Sequence, residues 1–340
     1  MEQFSHLAPL YFEEMYPYDI PDVIWHYTNL NALLGILGDS NVSRKPDKKM
    51  SFWFTRSDCL NDKSEGLEIL KIIKKASSEL LEAGEIDDSF HNVVCATKTP
   101  RKQTFPFPVT STNDIEEDLQ VHTAVRSLEA DVFICCFSKE KDLLEMWRYY
   151  AKSEDGYCLK IQTEELFSTL KEYYYSEKVN KDVEYVKLTE FSVLYSDSEK
   201  TDYIKSCLSK AYKGYKDDLE EYGADSAEES LKGYLHLLIR ENQFRFKNEC
   251  FSSEKEFRIV AYRPKKKLEW LENDLPKIKY RQHDGMLIPY IEIASKDALR
   301  GVQIGPQAIN EMQEKVVGDY LADLGYNDVE VTKSNLPIRF

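Results

Sequence analysis

"DVFICCFSKEKDLLEMWRYYAKSEDGYCLKI", residues 131–161, packs a strand, a helix and a second strand into one run. The opening "DVFICCFS" is β-branched, aromatic and thiol-bearing, which suits a buried strand ending at Ser138, with Cys135 and Cys136 as small core residues. From about 141 to 152, Leu143, Met146, Trp147 and Tyr150 recur at the three- and four-residue spacing that draws one apolar stripe along a helix. Gly156 then opens "GYCLKI", a return strand. Further strands are expected at "DVIWHY", "MSFWFT", "VEYVKLTEFSVLY", "EKEFRIVAY", "LIPYIEI" and "GVQIG". Helices are expected at 29–38, 62–83, 162–171, 306–324 and, as a pair, between 200 and 248.

Helices and strands do not alternate regularly, so the fold class is α+β: mixed, mainly antiparallel sheets with flanking helices. Residues 1–340 read as one domain, into which the pair at 200–248 is inserted as a helical hairpin, with Ser226 as a cap. The segment 97–120 is rich in Pro, Thr and charge, lacks periodicity and reads as a mobile loop.

Sixty acidic against 45 basic residues give a formal charge of -15, which argues against a broad electrostatic grip on nucleic acid or anionic membrane. No apolar run approaches the roughly 20 residues of a membrane span, and the first residues lack a signal-peptide pattern. A soluble, cytoplasmic protein with no membrane partner is expected. Seven cysteines without a Cys-x-x-Cys pair, and six scattered histidines, point to reduced thiols and no structural metal. Glycine-rich phosphate loops, a dinucleotide fingerprint and a nucleophile elbow are absent, which disfavours P-loop ATPases, Rossmann dehydrogenases and α/β-hydrolases.

Four constellations carry the candidate chemistry. In "DVIWHYT" the alternation sends Tyr27 to one face and His26 to the other, at a strand end where Thr28 or Asn29 caps a helix burying Leu30, Leu33, Leu34 and Leu37. In "LNDKSEG" Asp62 and Glu65 have the spacing of a capping box, or of two carboxylates sharing a cation. Tyr149 and Tyr150 end the aromatic helix and offer rings for stacking a heterocycle. In "ECFSSEKEFRI" a period of two puts Glu254, Glu256 and Arg258 on one face, with the carboxylates about 7 Å apart. Such a face is either solvated or a carboxylate pair for stabilising developing positive charge, with an arginine to orient it.

The stretches "WHYTNLNALLGIL", "FTRSDCLNDKSEG", "CFSKEKDLLEMWRYYAKSEDGYCLKI", "FRFKNECFSSEKEFRI" and "GVQIGP" together resemble a bacterial family catalogued as domain of unknown function 2971, over about residues 23–310. Its members are similar to proteins found among bacterial antiphage defence and mobile-element genes. The "HYT" strand, the Ser-ended strand with its aromatic helix and the "EKE" strand also resemble the three-part site of His-Tyr-Glu ADP-ribosyltransferases. That resemblance implies an ADP-ribosyltransferase-like fold and a transferase or glycohydrolase using NAD as substrate. It implies His26 on the nicotinamide-side ribose, Tyr149 or Tyr150 stacked on nicotinamide, and Glu256 or Glu254 at the transition state. Tyr27, Ser138 and Arg258 complete the nucleotide site, and a protein or nucleic acid is the acceptor. Two other readings stand beside it: a metal-dependent nuclease or nucleotide hydrolase built on Asp62, Glu65, Glu254 and Glu256, and a non-catalytic binding module using 200–248.

Overall fold

The computed structural model describes residues 5–7, 10, 20–38, 49–60, 62, 66, 68–98, 104–112, 121–151, 156–174, 187–266, 275–283, 285–307 and 312–337. In chain order the elements are β1 (Val23–Asn29), α1 (Leu30–Leu37), β2 (Lys49–Arg56), α2 (Ile69–Glu82), α3 (Asp88–Ala96), β3 (Thr104–Thr112), β4 (Val121–Ser138), α4 (Leu144–Tyr149) and β5 (Gly156–Gln162). There follow α5 (Thr163–Tyr174), β6 (Lys187–Ser192), α6 (Asp197–Tyr222), α7 (Ala224–Asn242), β7 (Glu256–Pro264), β8 (Lys279–His283), β9 (Met286–Lys296), β10 (Leu299–Ile304), α8 (Gln313–Asp323) and β11 (Glu330–Lys333). The class is α+β, as the sequence implies.

The chain divides into two compact units. One comprises Met1–Asp19, Leu60–Gln103 and Glu190–Ser252, the other Ile20–Cys59, Thr104–Thr189 and Ser253–Phe340. The first is helical. The pair expected at 200–248 is α6 and α7, and its apolar stripes (Ile204, Leu208, Leu231, Leu235, Leu238) close on Ile69, Ile73, Leu80, Phe90 and Val94 of α2 and α3. The pair thus supplies half of this helical core. A capping box starts α6: Ser196 accepts from the Glu199 N–H while the Glu199 carboxylate reaches back to the Ser196 N–H. Ser226 caps nothing, because α7 follows α6 after the single residue Gly223 at φ 84°, leaving Ser226 inside the first turn. The buried Lys200 ammonium sits 2.8 Å from Glu68, and buried Asp218 accepts from Ser5 and from the His6 N–H.

The second unit is built on a mixed sheet in the order β11-β10-β5-β1-β4-β2-β9-β8, with β3 and β7 also paired to β4. Only β10 and β11 run parallel among these registered pairs. At 18 residues β4 is long enough to serve several partners. One edge takes β7 along Ala130–Ser138, while the other takes β2 at Phe133 and Ile134 and β1 at Ser138. The sheet forks between those two contacts. One face buries Ile24, Phe52, Phe54, Phe133, Phe137, Leu159, Phe257 and Ile293 under the aliphatic residues of α1, α5 and α8.

Residues 104–112 are a strand, not part of a loop. They pair with 121–129, from Thr104 opposite Glu129 to Thr112 opposite Val121, while the intervening 113–120 lie outside the described residues. Prolines masked this strand in the sequence. Pro106 and Pro108 are two apart, so both remove an N–H from the same edge, and among the described residues β3 pairs only with β4. α1 buries Leu33, Ile36 and Leu37 but leaves Leu30 and Leu34 about two-fifths exposed, 40% and 41%. Asn29, one of the two expected caps, accepts from the Ala32 N–H.

Gly156 and Gly305 meet where β5 and β10 pass the aromatic helix. A methyl at Gly156 would lie 2.5 Å from the Ala151 Cβ and 3.3 Å from the Trp147 ring, whereas one at Gly318, within α8, would meet nothing within 4 Å. Gly156→Ala is therefore expected to destabilise by about 1–3 kcal/mol through overpacking. Gly318→Ala should stabilise by about 0.5–1 kcal/mol through helix propensity. Urea unfolding of the two variants checks the pair of opposite signs.

Candidate functional site

Three adjacent strands bring most of the residues picked from the sequence to one level. Trp25 of β1 lies opposite Ser138 of β4, and Ser138 lies opposite Glu256 of β7. Residues directly opposite share a face and alternate residues along a strand share it too. Trp25, Tyr27, Ser138, Glu256 and Arg258 therefore occupy one face, and Ile24, His26, Phe137 and Phe257 the other.

Glu256 and Arg258 are 2% and 1% exposed, and the guanidinium places Nη2 at 2.6 Å and Nε at 2.8 Å from the same carboxylate oxygen, Oε2. That pairing follows the expected period of two. Glu254 departs from it: it ends a 3₁₀ turn, Glu249–Glu254, and is separated from β7 by Lys255 at φ +48°. The turn closes where the Asn248 side chain accepts from the Cys250 N–H and its carbonyl from the Phe251 N–H. Lys255 in the left-handed region then lets the chain reverse into the strand, so that Glu254 and Glu256 are both buried without a shared strand face.

Glu254 is held from two sides. The Ser138 hydroxyl donates to its carbonyl at 2.9 Å, and the Tyr150 hydroxyl to its Oε1 at 3.4 Å. The Lys139 N–H also donates to the Lys255 carbonyl, which stitches the end of β4 to the start of β7. Tyr27 fixes the segment between β4 and α4: its hydroxyl donates to the Glu140 carbonyl and accepts from the Leu143 N–H, while its ring meets Trp147 edge-on at 5.1 Å. Burial holds its phenol far above the usual tyrosine range. Tyr27, Ser138, Tyr150, Glu254, Glu256 and Arg258 are thus gathered at one sheet end. Tyr149 is not: it is 68% exposed.

His26 stands apart from this group. Its ring wedges between Phe52 and Phe137, at 5.7 and 5.3 Å, on the face opposite Glu256. Nδ1 lies 3.0 Å from the Cys136 carbonyl, which accepts only if Nδ1 carries the hydrogen. This is the stretch of β4 between its contacts with β1 and β2, so the imidazole caps a carbonyl where the sheet forks. Burial first, and the Arg281 charge after it, hold His26 down at about 4 against the support of that hydrogen bond. It is a neutral ring serving the backbone.

Asp62 does not cap the helix it precedes, since α2 begins at Ile69 with Glu68 in the cap position, and Glu65 lies outside the described residues. Among the described residues no three His, Cys, Asp or Glu side chains gather as metal ligands. No described helix is long and apolar enough to cross a membrane. All seven cysteines are free thiols. The residue that sequence reading missed is Asp142, at φ 59°, whose carboxylate accepts from the Trp147 indole N–H and the Ser334 hydroxyl. An Asp just before an apolar helical stripe signals such a local bond, here to a ring and not to a first-turn N–H.

Residues 146–259, about a third of the chain, match the model of a family described as a protein of unknown function, DUF2971. That stretch carries Tyr150, Glu254, Glu256 and Arg258 but stops short of Tyr27 and Ser138. No curated protein and no solved structure matches the chain.

The depressed His26 value has a stability consequence. The ring is neutral in the fold until about pH 4, whereas an unfolded chain takes up that proton below about 6.5. Stability contributed by neutral His26 is thus full above about pH 6.5 and falls as pH drops toward 4. His26→Gln, which keeps an N–H for the Cys136 carbonyl, should show a shallower loss between pH 7 and 5 than the wild type. Urea midpoints at pH 7, 6 and 5 test the difference in slope.

Proposed function

We propose that this chain is an enzyme that takes NAD as substrate and either transfers ADP-ribose to a protein or nucleic-acid acceptor or hydrolyses the dinucleotide, in a bacterial defence or toxin setting. The observation that supports it most is the Glu256 carboxylate, fixed by two nitrogens of Arg258 at a sheet end and sealed from bulk water. In the reaction the bond between ribose C1′ and nicotinamide breaks, and nicotinamide leaves with the electron pair. The ribosyl centre passes through oxocarbenium character, and the acceptor or water supplies the new pair to C1′ and loses a proton. A carboxylate that need not reorganise stabilises that positive centre, and in a low dielectric it does so strongly. Glu254, steadied by Tyr150, is the group for the nucleophile's proton.

In this reading His26 is a positioning residue and makes no ribose contact. With Glu256 2% exposed, the surrounding segments must part for the dinucleotide to enter, so binding should be slower than an open cleft allows.

Glu256→Gln is expected to lower nicotinamide release from NAD by roughly a hundredfold or more while NAD still binds. Glu254→Gln should lower it less. Tyr150→Phe, which removes the hydroxyl that donates to Glu254, should lower it severalfold. Nicotinamide release by chromatography and NAD binding by calorimetry decide the matter. A wild-type protein that releases no nicotinamide, alone or with cell extract, sinks the reading. So does a Glu256→Gln variant whose only defect is a lowered melting temperature, which would make the pair a structural strut.

A further inference from the structure

Strand β8 carries Arg281 opposite Ile288 of β9, on the face shared by Trp53, Thr55 and Tyr290. The guanidinium lies over both rings, 5.5 Å from the Trp53 centroid and 5.8 Å from that of Tyr290. Among the described residues one of its five donors is used: Nη2 donates to the Thr55 hydroxyl at 2.8 Å. Arg281 Nε and the Trp53 indole N–H are both buried without a hydrogen-bond partner. Arg281 has no carboxylate partner among the described residues. Glu292, which stands opposite Trp53, is committed to Lys279.

A partly buried cation without a counter-charge is unfavourable for a fold that has carboxylates to spare. Burial also lowers the pKa of Arg281. Two rings and a hydroxyl nonetheless hold the planar fork in one orientation, with its remaining donors unspent. Arginine suits such a place because its fork matches tetrahedral and planar oxyanions in a way an ammonium does not. On a chain of net charge -15, an uncompensated guanidinium is also a local exception that would draw an anion.

We propose that Arg281, clamped by Trp53, Tyr290 and Thr55, anchors a binding site for the phosphate oxygens of a nucleotide or of free diphosphate. The site stands on its own geometry, whether or not the chain releases nicotinamide. It lies on the same sheet face as Glu256: Thr55 is opposite Ile134 on β4, and Ile134 is opposite Val260, two alternations down β7 from Glu256.

Calorimetric titration of the full chain with inorganic pyrophosphate, ADP-ribose and sulfate, at fixed ionic strength, tests it. Pyrophosphate and ADP-ribose should bind wild type. Arg281→Gln should weaken both by roughly tenfold or more, the scale of charge-assisted hydrogen bonds. Arg281→Lys, which keeps the charge but loses the fork, should recover only part of the affinity. The melting temperature of unliganded Arg281→Gln should equal or exceed that of wild type, since an uncompensated charge is removed. Equal binding to wild type and Arg281→Gln, no binding by folded wild type at millimolar pyrophosphate, or sulfate binding as tightly as pyrophosphate would each overturn the assignment. A lowered melting temperature in Arg281→Gln with unchanged binding would make the arginine a stacking element alone.

Discussion

The sheet unit depends on how β4 satisfies its own backbone. One edge of this 18-residue strand carries β7 along Ala130–Ser138, but the other is shared over that stretch between β1 and β2, which reach it at different heights. Between them the Cys136 carbonyl has no strand beside it, and a buried carbonyl without a partner costs about as much as a lost hydrogen bond. The His26 ring supplies the missing donor at Cys136 and fills the fork between two phenylalanines. Everything proposed about the functional face rests on that fork holding its shape, because Ser138 and Glu256 are placed by the upper contact and Thr55 and Arg281 by the lower one.

The two faces of these strands divide the labour. One is a continuous apolar core, closed by α1, α5 and α8. The other carries a second, smaller aromatic cluster around Tyr27, Met146, Trp147 and Cys158, and beside it the buried charges of Glu256 and Arg258. Placing α4 on that face ties its cap residue Tyr150 to Glu254 and its Trp147 to Asp142. The aromatic stripe is thus core in its own right, and only its last tyrosine is turned toward polar groups.

Most elements were legible because hydrophobic period is a local property. The strands at 131–138, 156–161 and 287–293, and the helices of the 200–248 stretch, announce themselves by alternation or by a 3.6-residue stripe. β3 was hidden by its prolines, and α3 and β8 by short, polar-rich sequences such as "KYRQH". The candidate site was half legible for a related reason. The type of residue and its face on its own strand are written in sequence, so Tyr27 and His26 were correctly sent to opposite faces. Which of those faces meets Glu256 is a matter of register between strands more than a hundred residues apart, and no local pattern carries it. No local pattern marks Arg281, because its place over Trp53 and Tyr290 exists only in the folded arrangement.

Lys255, in its left-handed conformation between the 3₁₀ turn and β7, sets the phase of everything that follows it. Because side chains alternate strictly along a strand, gaining or losing one residue at this joint would turn β7 inside out. Glu256 and Arg258 would then point into the phenylalanine core, and Phe257 and Ile259 would replace them on the polar face. The joint is a reading-frame marker written in backbone geometry: the number of residues from Asn248 to Glu256 decides which face of β7 carries the charges.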